Sequence, residues 1–397
     1  MERTAGRGSW LLLGGLTAAA MLQPLACRPV GDSSGGPAAQ AQVDALAQVG
    51  PGVVMPALDA FVVESDALEG ALAAWAAAPS EPAALLAARD AWVEAFLAWQ
   101  VVEVLQIGPA ASSLTAIAGA DLRDEIYSWP TINACRVDQE TVEAEWDRDG
   151  WFTENLVNSY GLDAIEHLLW AGPDNDCPGQ VPINEDGSWD ALGDDGVAAN
   201  RSAYAVALAG HISDQAVDLR DTWSPDGGDF SGALASADGA PYPSSQDALN
   251  AVFDALFYVE TMSKDRKLAV PLGLQDCGVD VCSSTVEALH SGLGAAAIAA
   301  NLRAFRDLFT GADGDGIDDL LDELGEGELA ARVVADTDRA IELADSLSVP
   351  LDQAVDQRTA EVEALHDALK AIGDDLKGDL ATVLTLQVPA EAAGDND

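Results

Sequence analysis

The ten residues Gly161-Leu162-Asp163-Ala164-Ile165-Glu166-His167-Leu168-Leu169-Trp170 read as one short helix with charge packed into apolar sequence. Leu162, Ile165 and Leu169 recur every three or four positions and make an apolar stripe. At about 100° per residue, Glu166 falls on the edge of that stripe with Trp170 beside it. Asp163 and His167 lie one turn apart, further round on the same side. The three polar groups span an arc of roughly 100°. Ionisable groups in such a place cost free energy unless they are paired or liganded. Asp163, Glu166 and His167 are therefore the candidate metal ligands.

Outward from this segment the chain reads as all-α. Ala and Leu are abundant, β-branched runs are scarce, and apolar residues repeat at helical spacing. Helices are expected over 43–78, 82–107, 121–127, 152–171, 197–223, 245–268, 283–309, 317–324, 328–347 and 351–386. A stretch rich in Gly, Pro, Asp and Asn from 172 to 196 divides them. That organisation predicts two tandem four-helix-bundle-like domains, residues 43–190 and 191–388, with a disordered tail over 389–397.

Two further helices carry carboxylates on apolar stripes. Trp92, Phe96, Trp99 and Glu103 share one face of the second helix, and Phe253, Leu256, Phe257 and Glu260 share one face of another. Lys264 is one turn beyond Glu260, placed to pair with it. Lys264 and Lys267 form the one clearly basic spot in a chain with few lysines. Asn301 lies near the Val286/Leu293/Ala297 stripe. Glu103, Glu166, Glu260, Lys264, Lys267 and Asn301 are the candidate ligand-binding residues, because bundle cores house sites built from side chains on facing helices. The bland reading is that each glutamate is satisfied by a nearby cation or N–H group. The acidic run Asp313-Gly314-Asp315-Gly316 is short of a calcium loop and reads as well as a turn before a helix.

Acidic residues outnumber basic ones by 67 to 19, for a formal net charge of −48. Such a surface repels nucleic acid and favours cations. Arg3 and Arg7 precede the uncharged apolar run from Trp10 to Leu22, which is short for a membrane span. Pro24-Leu25-Ala26-Cys27 then resembles a lipobox. Residues 1–27 are expected to be an export signal with Cys27 lipidated, and residues 28–42 a flexible tether. The expected location is the bacterial cell envelope, as a periplasm-facing or surface lipoprotein of the outer membrane. Four other cysteines suit two disulfides in an exported chain. Of the three connectivities, Cys277–Cys282 as a local clip and Cys135–Cys177 across the 161–170 helix are the expected pair. No phosphate-binding glycine loop, Gly-x-Ser-x-Gly elbow or His-Glu-x-x-His pair is present.

Several segments in order resemble the imelysin family: Ala91-Trp92 through Glu103 and Gly108-Pro109; Asn158 to Trp170; Arg201 and Tyr204 in a helix ending at Trp223; Val259-Glu260, Lys267-Leu268 and Pro271-Leu272-Gly273; and Glu287, Ser291, Asn301-Leu302 and Phe309-x-Gly311. The resemblance implies two four-helix bundles with a site where they meet, and export to the bacterial envelope. Its members have been treated as metallopeptidases and as parts of iron uptake. The family signature is Gly-x-His-x-x-Glu, and here Asp163 stands at the His position. Asp163 suits a hard divalent or ferric cation better than it suits a zinc hydrolase. The expectation is a protein that binds a metal ion or small ligand without turnover. A metal-dependent peptidase, or a structural module that binds an envelope protein partner, are the alternatives.

Overall fold

The computed structural model describes residues 36–393. Cys27, the expected export signal and most of the expected tether lie outside them. Helix dominates, and no strand occurs among the described residues. In chain order the helices are α1 (Pro37–Gln48), α2 (Met55–Ala77), α3 (Pro82–Val104), α4 (Leu122–Ile126), α5 (Ala134–Glu143), α6 (Trp151–Glu154), α7 (Leu162–Trp170), α8 (Pro182–Glu185), α9 (Ser188–Trp223), α10 (Phe230–Ser236), α11 (Ser245–Leu256), α12 (Gly294–Thr310), α13 (Ile317–Leu324), α14 (Gly327–Ser346), α15 (Leu351–Gln357) and α16 (Thr359–Asp375). Wider π-helical turns occupy Val49–Val54, Val259–Ala269 and Leu376–Leu380.

Apolar periodicity decides the packing. On α2, Leu58, Phe61, Leu68 and Leu72 lie at helical spacing and are buried to 1% exposure or less. Each contributes about 1.5–3 kcal/mol relative to an exposed position. This face lies along α3 and α9, and α7 packs on the same pair. A second group joins α12, α14, α16 and the 259–269 segment, and α3 meets α12 across the two groups. Apolar core runs continuously from Leu46 to Ala392. The boundary expected at residues 190 and 191 lies just before Gly193, where φ of 60° and ψ of 172° break α9 into two helical parts.

Four local expectations are corrected. Residues 37–42, expected as tether, begin α1, where Pro37 is tolerated in a first turn and Ala45 and Leu46 are buried. Residues 390–393, expected as tail, form a helical turn that buries Ala392. The helix expected over 283–309 begins only at Gly294; Ala288 and Gly292 have φ of +50° and +75°, which no right-handed helix accommodates. The 152–171 helix is broken before Gly161, whose φ of +108° stops any helix arriving from upstream.

Both expected disulfides form, Cys135–Cys177 and Cys277–Cys282. The acidic run before Ile317 serves a helix start: the Gly316 N–H donates to Asp319 Oδ2 at 2.9 Å.

Candidate functional site

The aromatic face of α3 builds the first wall. Trp92 and Phe96 stack at 4.7 Å between ring centroids, and Trp92 Nε1 donates to the Leu162 carbonyl at 2.8 Å. That bond fixes α7 against α3. One turn past Phe96 on the same face come Gln100 and then Glu103, both buried. The second wall is the 259–269 segment, whose π-helical winding buries Ser263, Lys264 and Lys267 completely.

Lys267 is the hub. Its ammonium lies 2.8 Å from Glu287 Oε2 and 3.7 Å from Glu103 Oε2. It donates to Gln100 Oε1 at 2.7 Å and to Asn301 Oδ1 at 2.8 Å. Asn301 in turn donates to the Gln100 carbonyl at 2.7 Å. Arg123 grips the other Glu103 oxygen at 2.7 Å and donates to the Trp129 carbonyl at 2.6 Å. The Tyr127 hydroxyl donates to Glu287 Oε1 at 2.9 Å. Two carboxylates thus meet two cations, and the desolvation that would otherwise expel them is offset. Burial pushes Glu103 upward, but Lys267 and Arg123 more than offset it and hold the carboxyl below its usual range. Glu287 goes the other way: burial, with the neighbouring Glu103 charge, raises it despite Lys267.

The polar side chains of α7 turn to separate partners. Asp163 accepts from the Ser128 hydroxyl at 2.9 Å and from the Ala164 N–H at 3.0 Å. Burial pushes it up to about 7, because those bonds and the more distant Arg123 recover only part of the lost hydration. Glu166 accepts from the Ser291 N–H at 2.7 Å, and burial raises it too. Neither makes an ion pair with a lysine or arginine among the described residues. Burial and then the carboxylates Glu287, Glu103, Asp163 and Glu166 hold the Tyr127 hydroxyl well above its usual value. His167 points elsewhere, with Nε2 3.1 Å from Asp138 Oδ1. The irregular chain at 286–293 matters here, since a helix would have engaged the Ser291 N–H that Glu166 uses.

The expected residues therefore divide. Glu103, Lys267 and Asn301 share one network, and Asp163 and Glu166 border it through Tyr127. Glu260 pairs instead with Lys264 at 3.5 Å and with Lys377, and packs against Gly373 of α16. Lys264 also meets Asp265 at 2.6 Å. Sequence reasoning missed Gln100, Arg123, Tyr127 and Glu287 as site residues. Gln100 carried a signal as the next position on the Trp92–Phe96 stripe, and Glu287 as part of the last family-like segment.

A cleft of about 800 Å³ opens beside the network. Arg123 and Tyr258 line it, and its acidic lining is Asp121, Asp124, Asp254, Asp265 and Asp276. With Arg266 as the other cationic residue lining it, the cleft favours cations over anions.

Comparison with known proteins agrees with this fold. Residues 54–379 match the family model Imelysin. No curated protein matches the chain. Among solved structures, an imelysin-like protein from Psychrobacter arcticum 273-4 is 21% identical with a TM-score of 0.67, over 88% of this chain and 97% of that one. A protein from Parabacteroides distasonis ATCC 8503, assigned as an iron-regulated protein A precursor, is 15% identical with a TM-score of 0.67, over 89% of this chain and 97% of that one. At these identities the two structures speak for the fold.

Proposed function

The chain belongs to the imelysin family, and from that premise we propose that it binds a cation or small cationic ligand at the Asp163–Glu166 wall, without catalytic turnover. One observation carries the reading. Glu103 and Glu287 are matched by Arg123 and Lys267, whereas Asp163 and Glu166 are buried one turn apart with no such match. A bound cation offsets the desolvation that raises both carboxyls. Ser291 and the exposed His290 lie beside Glu166.

The donor set is two carboxylates, which suits a hard cation such as ferric iron. His167 faces Asp138 and adds no imidazole to it, so a hydrolytic zinc centre lacks its nitrogen ligands here. The iron-regulated description of one structural relative supports iron as the first ion to try. In this reading the protein is exported, lipid-anchored at Cys27 and held in the cell envelope, where it serves iron or other cation acquisition.

Titration of the purified chain with ferric citrate tests the proposal. Glu166→Gln is expected to weaken binding by about tenfold or more, a loss of about 1.4 kcal/mol or more. Equal binding by both proteins removes Glu166 from the site. Chelator-sensitive cleavage of unfolded protein, abolished in Glu166→Gln, would instead establish a peptidase.

A further inference from the structure

A second site lies behind α7. The loop after this helix is tied back by the Cys135–Cys177 disulfide, and the Asp176 N–H donates to Asp138 Oδ2 at 2.8 Å. Asp138 projects from α5 and is fully buried. Its Oδ1 lies 3.1 Å from His167 Nε2 and 3.4 Å from the Arg201 guanidinium. An ionised carboxylate only accepts, so Nε2 is the donor in that bond. In a neutral imidazole the lone pair then sits on Nδ1.

That Nδ1 is buried and has no hydrogen-bond partner, in a side chain only 4% exposed. It points at Asp176 Oδ2, 3.7 Å away. Two acceptors therefore face each other across a gap too long for a hydrogen bond. The same gap is one that two ligands of a single ion span with bonds of about 2.0–2.2 Å. The ligand-type atoms of Asp138, His167 and Asp176 all lie within 4.8 Å of one another. A carboxylate that takes the far N–H of a ligating histidine is a recurrent device for fixing its tautomer and ring plane.

We propose that His167 Nδ1 and Asp176 Oδ2 bind a divalent transition-metal ion of the zinc type, with Asp138 holding the imidazole in position. Arg201 balances the Asp138 charge, so the negative charge facing the ion comes from Asp176. An imidazole donor selects zinc, copper or nickel over calcium or magnesium. Asp176 is 58% exposed, which leaves the outer positions of the ion to water or to a group from outside the chain. This site uses different ligand atoms from the one proposed above, because Glu166 turns to Ser291 while His167 turns to Asp138, although the His167 and His290 rings lie 6.0 Å apart.

Zinc titration of the purified chain, at about 0.15 M salt to screen the acidic surface, tests the assignment. The wild type is expected to bind zinc at one site and to melt higher as zinc is added. Asp176→Asn changes an exposed side chain and should keep the metal-free melting temperature while weakening zinc by about tenfold or more. His167→Gln keeps a donor for Asp138 but removes the Nδ1 ligand, and should weaken zinc similarly. Glu166→Gln should leave zinc affinity unchanged, which separates this test from the ferric one. Failure of the wild type to bind zinc would leave His167 and Asp176 without the assigned ion. That result, or unchanged affinity in both Asp176→Asn and His167→Gln, overturns the proposal.

Discussion

Asp163 holds its proton unusually tightly for an aspartate, with a folded value of about 7 against an ordinary 3.8. The folded state therefore binds this proton more tightly than the unfolded chain does. The stabilisation is fully present below about pH 4 and is lost as pH rises to about 7. Asp163→Asn removes that slope. Relative to wild type, the variant should gain stability between about pH 4 and pH 8, by up to about 4 kcal/mol. Urea midpoints across this range measure it, and parallel profiles for the two proteins would refute it. Glu166, Glu260 and Glu287 are also raised, but they titrate in both proteins and cancel in the difference. Glu103 was legible in the sequence because a glutamate on a Trp/Phe stripe has to be buried and compensated. Its partners were not. Arg123 lies in a helix of five residues and Tyr127 just after it, an element too short for periodicity to orient them. Glu260 shows the converse, since an identical stripe led to a different cluster once Lys377 approached from the far end of the chain.

Short elements set the angles at which these residues meet. Gly161 opens α7 with φ +108° and ψ 179°, a region open essentially to glycine alone. A Cβ there would stand 2.8 Å from Asp163 Oδ1 and 3.0 Å from the Ile126 carbonyl. Gly161→Ala should therefore cost about 1–3 kcal/mol from the backbone alone. It should also disturb Asp163, so thermal melts and the pH profile of stability should change together. A melting temperature within a degree of wild type would contradict this. Long helices such as α2 and α14 were readable because many turns repeat one pattern. α5, which carries Asp138 and Cys135, was missed among turns, and the 286–293 stretch was read as helix. In the latter, apolar spacing persists while two positive φ values break the backbone. Periodicity reports burial, and burial does not require regular hydrogen bonding.

At the scale of the whole molecule, 67 acidic residues face 19 basic ones, so most carboxylates have no cation to pair with. Exposed pairs such as Arg303–Asp345 and Arg306–Asp338 each contribute at most about 1 kcal/mol. Self-repulsion of the compact state outweighs them. Raising sodium chloride from about 0.05 to about 0.5 M should thus raise the melting temperature by a few degrees. A fall would show that the ion pairs dominate. The all-α class was legible from composition and spacing, and the family from the order of its motifs.

The placement of α1 has a consequence in time. This first described helix packs against α10, α11 and α13, and Gln48 donates to the Gly311 carbonyl across 263 positions of sequence. Those three helices all begin at about residue 230 or later. A chain emerging from the ribosome carries α1 without these partners until they are made, and its assembly joins an early segment to one made much later. Loop closure of that length is slow relative to local helix formation. The molecule is therefore closed late, and it stays open to whatever holds an unfinished chain until then.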